Sequence, residues 1–439
     1  MLPGNPNSGV RGYAPVLTQP YSQLACSTVL GDRPPEKTLE GHTVSFIGGG
    51  IESIPGIRHA QALGAKTLTL DGDARCPGAQ FSTSFAQVEI SRPDQVAEFF
   101  TDLRQDLRPN AVTSLGTDFP QSVAAANEVL GTKGLTYDVT AKCSDKWLQK
   151  ILLSEGGIPT PNGKLVKSEF DIADFLSHHQ LGVVVKPIDS RGARGVSVVR
   201  ENSEIANAVQ SAYQNTLREH ILVEEFMEGD QYSSEGIVQN GTAGIDGLSL
   251  RNYDRLSDYY PHIIEDGGNL SPELSEGLFG QIEALHQKIA ALSGLENGSI
   301  KGDIVVHNGT AKVIEFALRP SGGFFSSHQI PAATGFDFLG NLFSNLCGGE
   351  VDYSDVREPV YVTQRFVFPG DKATSNMHQD FSEFKNNLVG FLVASHDPGV
   401  SMGGVTNHTQ RLGNIITWGK SLDEANRSCE SAKRWLLTS

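Results

Sequence analysis

The chain has 439 residues, 38% of them hydrophobic, with a formal net charge of −16 and a pI near 5.2, which predicts two to four packed units with ordinary cores. The acidic balance argues against a broad polynucleotide surface, though not against a local phosphate pocket, and the absence of a membrane-length apolar run or a secretory start in residues 1–40 predicts a soluble, cytoplasmic protein. The five cysteines (Cys26, Cys76, Cys143, Cys347, Cys429) are widely spaced, odd in number and free of any Cys-x-x-Cys pair, so they read as reduced structural thiols. Residues 1–41 are rich in Pro, Gly, Ser and Asn without a steady period, and a poorly ordered arm is expected there. Next come a short apolar strand over 43–47, the tight turn Gly48-Gly49-Gly50, a helix over 54–63 and a strand over 65–70 ending at Asp71. A further strand and helix pair over 111–115 and 119–130, closed by Gly131, extends this βα pattern, which implies a parallel sheet covered by helices. The triglycine turn invites a dinucleotide reading, but the third glycine is missing at the required spacing, so turn geometry is the preferred explanation.

Beyond residue 140 the pattern changes. Ser144 or Asp145 can cap a helix that runs to about Glu155, where Gly156-Gly157 stops it and Pro159 and Pro161 force an extended exit. A buried-type strand over 183–187 then delivers Lys186 to its end, followed by a glycine-rich cationic tip from Asp189 to Gly195 and a return strand over 196–199. Backbone N–H groups around Ser190, Gly192 and Gly195 can wrap phosphate oxygens beside the Lys186 charge, the alternative being a surface loop with incidental arginines. The strand over 221–225 runs into Glu224-Glu225-Phe226-Met227. Its end exposes one backbone donor and one acceptor, with apolar walls that suit an adenine edge.

Between Gly302 and Phe325 two strands flank an Asn308-Gly309 turn and carry Asp303, Glu315 and Arg319. Glu315, Ala317 and Arg319 alternate, so they share one face, and Pro320 ends the strand. Loop length decides where Asp303 falls. A three-residue loop of Asn308, Gly309 and Thr310 sets it opposite Glu315, whereas a two-residue loop pairs it with Ile314 and turns it away; the three-residue loop is expected. Two carboxylates on neighbouring strands call for a cation between them, and an arginine four residues on supplies a fork for phosphate or carboxylate oxygens. A solvated hairpin with surface charges is the alternative for any one of these residues taken alone.

The succession Asp145-Lys146, Val185-Lys186-Pro187 with its glycine loop, Glu224-Glu225-Phe226-Met227, Asp303 and Glu315-x-x-x-Arg319-Pro-x-Gly-Gly resembles the ATP-grasp superfamily, from about Thr43 to the end of the chain. The closing stretch, Arg411-Leu412-Gly413 followed by Trp418-Gly419-Lys420-Ser421-Leu422-Asp423-Glu424-Ala425, is similar to the C-terminal domain of the carboxylase and L-amino-acid-ligase branches. The resemblance implies a mixed α/β and α+β fold: a Rossmann-like pre-ATP-grasp domain over 42–138, an ATP-grasp domain over 139–345 with a mobile lid at about 160–222, and a capping domain over 346–439.

Carried over by position, it assigns Lys146, Lys186 and the loop of Ser190, Gly192 and Gly195 to the phosphates of ATP. Glu224, Phe226 and Met227 fall to the adenine, Gln231 to the ribose, and Asp303 with Glu315 to Mg²⁺. Arg319 becomes the catalytic residue, and Ser321, Gly322, Gly323 and Asn269 line the substrate pocket. Three departures stand out: Ala317 where many relatives carry asparagine, Gln231 at the usual glutamate position, and Gly268-Asn269-Leu270-Ser271-Pro272 in place of Gly-His-x-x-Pro. The implied activity is ADP-forming ligation of a small carboxylate and an amine, with no nucleic-acid or membrane partner and a homodimer among the open options. The rival readings are a biotin-carboxylase-type carboxylase or formate-activating ligase, a non-catalytic nucleotide-binding protein and, last, a nicotinamide oxidoreductase.

Overall fold

The computed structural model describes residues 38–143, 145–368, 371, 388–393 and 404–437. The expected arm over 1–37 and the candidate cap Ser144 lie outside the described residues. Short apolar runs separated by helices build the first sheet: β1 (Thr43–Ile47), β2 (Lys66–Asp71), β3 (Ser84–Gln87) and β4 (Ala111–Thr113), all parallel in the order β3-β2-β1-β4. Val44, Phe46 and Ile47 are fully buried, as a strand covered on both faces requires. Packing begins before residue 42, because Leu39 is buried and its N–H bonds to Leu63 O at 2.9 Å. Asp71, the acid that a dinucleotide reading sends to a ribose, accepts from Gly49 N–H at 2.7 Å and closes the triglycine turn on itself.

The second sheet is antiparallel, β5 (Gly163–Val166), β6 (Val183–Pro187), β7 (Ser197–Val199) and β8 (Ile221–Glu225) in the order β5-β8-β6-β7. Helices Glu169–Ser177 and Ile205–Tyr213 close its core around Ile172, Val183, Val199 and Ile221. Asp145 caps the preceding helix, Lys146–Glu155, accepting from Trp147 N–H at 2.8 Å and Leu148 N–H at 3.2 Å.

The largest sheet comprises β9 (Asp230–Gln239), β10 (Thr242–Ala243), β11 (Gly247–Asn252), β12 (Gly267–Leu270), β13 (Asn297–His307), β14 (Thr310–Ala317), β15 (Tyr361–Val367), β16 (Leu388–Val393) and β17 (Gly413–Gly419). Its path is β14-β13-β9-β11-β12-β15-β17-β16, with β10 beside β9. β15 pairs with β12, so strands from the stretch after residue 346 extend this sheet directly. Helix Glu276–Ser293 packs on β13 and β14 through buried Ile282 and Ile289. Among the described residues no helix is long and apolar enough to cross a membrane, and Cys76, Cys143, Cys347 and Cys429 are free thiols.

One detail of this sheet positions the site. Asn308 and Gly309 both have positive φ (50° and 76°), and His307 pairs with Thr310, so the hairpin turns in two residues rather than the expected three. Continued unbroken, that register would place Asp303 against Ile314. The ladder instead shifts between Ile304, which faces Val313, and Asp303, which faces Glu315. Ile314 is the extra residue of a β-bulge, and the bulge brings the two acids together.

Candidate active site

Asp303 and Glu315, opposite each other on β13 and β14, form one wall of a cleft of about 900 Å³ bounded by all three sheets. Both acids already have basic partners. Arg251, reaching across from β11, bonds to Asp303, and Lys301 Nζ lies 3.0 Å from Asp303 Oδ1. Burial alone would raise the Asp303 pKa, but Arg251 and then Lys301 outweigh it and hold the carboxyl at about 2. At Glu315 burial is likewise outweighed, by Lys146 at 3.4 Å and by Lys186, and the carboxyl stays below its ordinary value. Facing carboxylates are hard oxygen donors that suit Mg²⁺. Among the described residues no group of three or more His, Cys, Asp or Glu forms, so the rest of such an ion's shell falls to phosphate and water oxygens. Ala317 sits opposite Lys301 in the ladder.

Across the cleft, Lys186 and Lys150 both pair with the buried Glu224 carboxylate, Lys150 Nζ at 2.7 Å. Glu224, expected at the adenine, lines the cleft and also orients these two lysines. Phe226, Met227 and Gln231 do line the cleft, and Gln231 accepts from Tyr253 OH at 3.1 Å. Lys146 Nζ donates to Ser190 O at 2.7 Å at the base of the lid loop. Ser190 and Gly192 line the cleft; Gly195 does not, and instead packs against Pro187 and Asn215 behind the loop with φ 74°.

Arg319 meets a partner that sequence reasoning missed. Its Nε lies 3.3 Å from Asp118 Oδ1, on the loop after β4, and the same carboxylate lies 3.2 Å from Nε of Arg191 in the lid loop. Arg191 also sits 5.4 Å from the Phe119 ring centre, and Gly192 O accepts from His408 N–H at 2.9 Å. The lid loop, Arg319 and the first sheet thus meet at Asp118.

The loop after Pro320 is held by two more acids. Ser321 N–H lies 3.2 Å from each oxygen of Glu235, which is wholly buried and also accepts from Ser326. Gly323 and Phe324 have left-handed φ values of 70° and 58°, which turn successive N–H groups the same way, and they donate to the Glu52 oxygens at 3.0 and 3.1 Å. Ser321, Gly322 and Gly323 line the cleft as expected, but the Ser321 and Gly323 N–H groups are already committed to protein carboxylates. Asn269 departs from expectation. Arg251 faces the site from a position opposite Gly268, so neighbouring Asn269 points to the other side of β12, where it accepts from Thr363 Oγ1 at 3.1 Å.

Tyr259 is buried against Phe368, and His262 Nδ1 lies 3.4 Å from Val196 O. His178 and His179 cap the end of their helix through Asp174 O and Phe175 O.

Residues 179–328 match the ATP-grasp domain family. Dapdiamide A synthase of Enterobacter agglomerans is 21% identical over 255 residues, 53% of this chain and 58% of that protein, so the chain spans little more than half of this relative's length. Phosphoribosylamine–glycine ligase of Methanobrevibacter smithii is 22% identical over 390 residues, covering 81% of this chain and 85% of that one. The solved L-amino acid ligase of Bacillus licheniformis superposes with a TM-score of 0.71 at 18% identity over 90% of this chain and 97% of its own.

Proposed function

We propose that this chain, a member of the ATP-grasp superfamily, is an ADP-forming carboxylate–amine ligase acting on small, amino-acid-like substrates. One observation carries the reading: Asp303 and Glu315 face each other beside Arg319, in the same cleft as Lys146, Lys186 and the lid loop. Phosphoryl transfer leaves a protein little covalent work and demands positioning, charge neutralisation and exclusion of water, and each of these residues serves one of those needs.

Lys146 and Lys186 supply the charge for the ATP phosphates, with Glu224 and Lys150 fixing Lys186 in place. Phe226 and Met227 wall the adenine, and Gln231 with Tyr253 faces the ribose. Asp303 and Glu315 would hold Mg²⁺, which when bound neutralises phosphate oxygen charge. Arg319, oriented by Asp118, steadies the phosphoryl group as it passes to the substrate carboxylate and then the acyl phosphate that an amine attacks. Ser190 and Gly192 roof the reaction and keep water out.

The test is trapping with hydroxylamine over pairwise pools of amino acids and related amines. A hydroxamate formed together with ADP is the expected result; AMP in place of ADP overturns the scheme.

A further inference from the structure

The loop from Ser321 to Phe324 looks at first like a backbone cradle for a substrate carboxylate, yet its N–H groups at positions 321, 323 and 324 are all taken by Glu235 and Glu52. Side chains of the cleft wall can hold a free carboxylate in their place. Arg411 is built for that. Its ring-like plane lies 3.5 Å from the Phe366 ring centre, and Nη2 donates to Glu265 O at 2.8 Å and Glu265 Oε2 at 3.1 Å. Its Nε is buried in the cleft wall without a hydrogen-bond partner. A buried, unpartnered guanidinium N–H is costly unless an oxygen arrives to meet it.

Arg319 already serves the phosphoryl group and Arg251 is paired with Asp303, which leaves the unmatched Nε of Arg411 to meet a second anion. An amine donor that lacks a carboxylate offers Arg411 nothing. The neighbouring charge is of the opposite sign. Glu52 lines the cleft just beyond the triglycine turn, each of its oxygens accepts a single backbone N–H, and both retain lone pairs. Arg319 and Arg411 both lie within electrostatic reach of it while keeping separate partners, Asp118 and Glu265. Asp71 takes the Gly49 N–H, and the Glu52 carboxyl lines the cleft three residues further on. A carboxyl group with free lone pairs at this place suits an ammonium group.

We infer that Glu52 and Arg411 read the two charges of a zwitterionic α-amino acid, the amine-donating substrate, with Glu52 taking its ammonium group and Arg411 its carboxylate. The inference rests on the ligase reading for the direction of the reaction, and it names the class of the attacking amine.

The experiment measures binding to the full-length protein loaded with MgADP, by calorimetry, of matched triplets. Each triplet is an L-amino acid, its decarboxylated amine and its des-amino acid, for example phenylalanine, phenethylamine and 3-phenylpropionate, with small, branched and polar side chains represented. At least one amino acid should bind about tenfold or more tighter than both of its truncated partners. Arg411→Gln should bring it down to the level of the amine and Glu52→Gln to the level of the des-amino acid, with MgADP affinity unchanged. A simple clamp on the 321–324 loop would weaken all three ligands and MgADP alike. That outcome, or a wild-type protein that binds the truncated ligands as well as the amino acids, overturns the inference without recourse to either variant. Amino acids that bind in this pattern while no pair releases ADP would sink the ligase reading and leave the subsite standing. ADP release with carboxylate-free amines alone would do the reverse.

Discussion

The β13–β14 hairpin and the loop from Ser321 to Phe324 both carry polar groups to the same cleft, but they are held there in opposite ways. The hairpin places its acids by its own register and bulge, and its charges serve one another and the lysines that line the cleft. The loop has no ladder of its own. Its N–H groups are pinned by Glu52, 271 residues away, and Glu235, 86 residues away, each on a different sheet or its flanking turn. The hairpin places its groups by its own ladder, whereas the loop depends on acceptor oxygens supplied from elsewhere in the fold.

That contrast can be broken from either side. The largest effect belongs to Arg319→Ala, which should lower ADP formation by about 10³-fold while leaving circular dichroism and the unfolding midpoint nearly unchanged, because Asp118 retains Arg191. A matching collapse of the fold would return Arg319 to a structural role and erase the distinction. On the other side, Glu235→Ala leaves the buried donors of Ser321 and Ser326 without an acceptor. Urea unfolding should show a loss of about 1–3 kcal/mol, and unchanged stability would mean that the loop holds itself.

The smallest effect concerns His328, buried just beyond the loop, where desolvation pushes its pKa down to about 4. The folded state keeps this imidazole neutral while the unfolded chain, near 6.5, takes up a proton. Between pH 6.5 and about 4 the unfolded state therefore binds more protons and gains on the folded one as pH falls. Relative to His328→Gln, the wild type should lose up to about 1.4 kcal/mol per pH unit across that window, read from unfolding curves at matched pH. A flat difference would place His328 in water.

The same contrast governs what was legible in the sequence. Asp303, Glu315, Arg319 and Lys186 lie in short alternating segments where a period of two says which side chains share a face. Glu52, Asp118, Arg251 and Arg411 were not legible, because each acts across sheets that only the folded topology brings together; Asp118 meets Arg319 over 201 residues. Lys150 did leave a trace, four residues after Lys146 and so on the same helical face, but a lysine on an amphipathic helix ordinarily points to solvent. Asn269 failed for the complementary reason. Its neighbours matched a family connection in order, while the pleat of β12 turned its side chain the other way. In the hairpin the expected pairing held although the expected loop did not, since Asn308-Gly309 made the tight turn that such dipeptides favour and nothing in an alternating run marks Ile314 as supernumerary.

The bulge at Ile314 also bears on how such chains are to be compared. A homologue with one more residue at the hairpin tip and no bulge would keep its two acids in step, yet a comparison by sequence would open its gap at the tip, where loops tolerate insertions. The structurally faithful gap lies five residues further along, inside the strand itself. Scoring that ignores it would misplace every side chain between the two points by one position and exchange inward for outward.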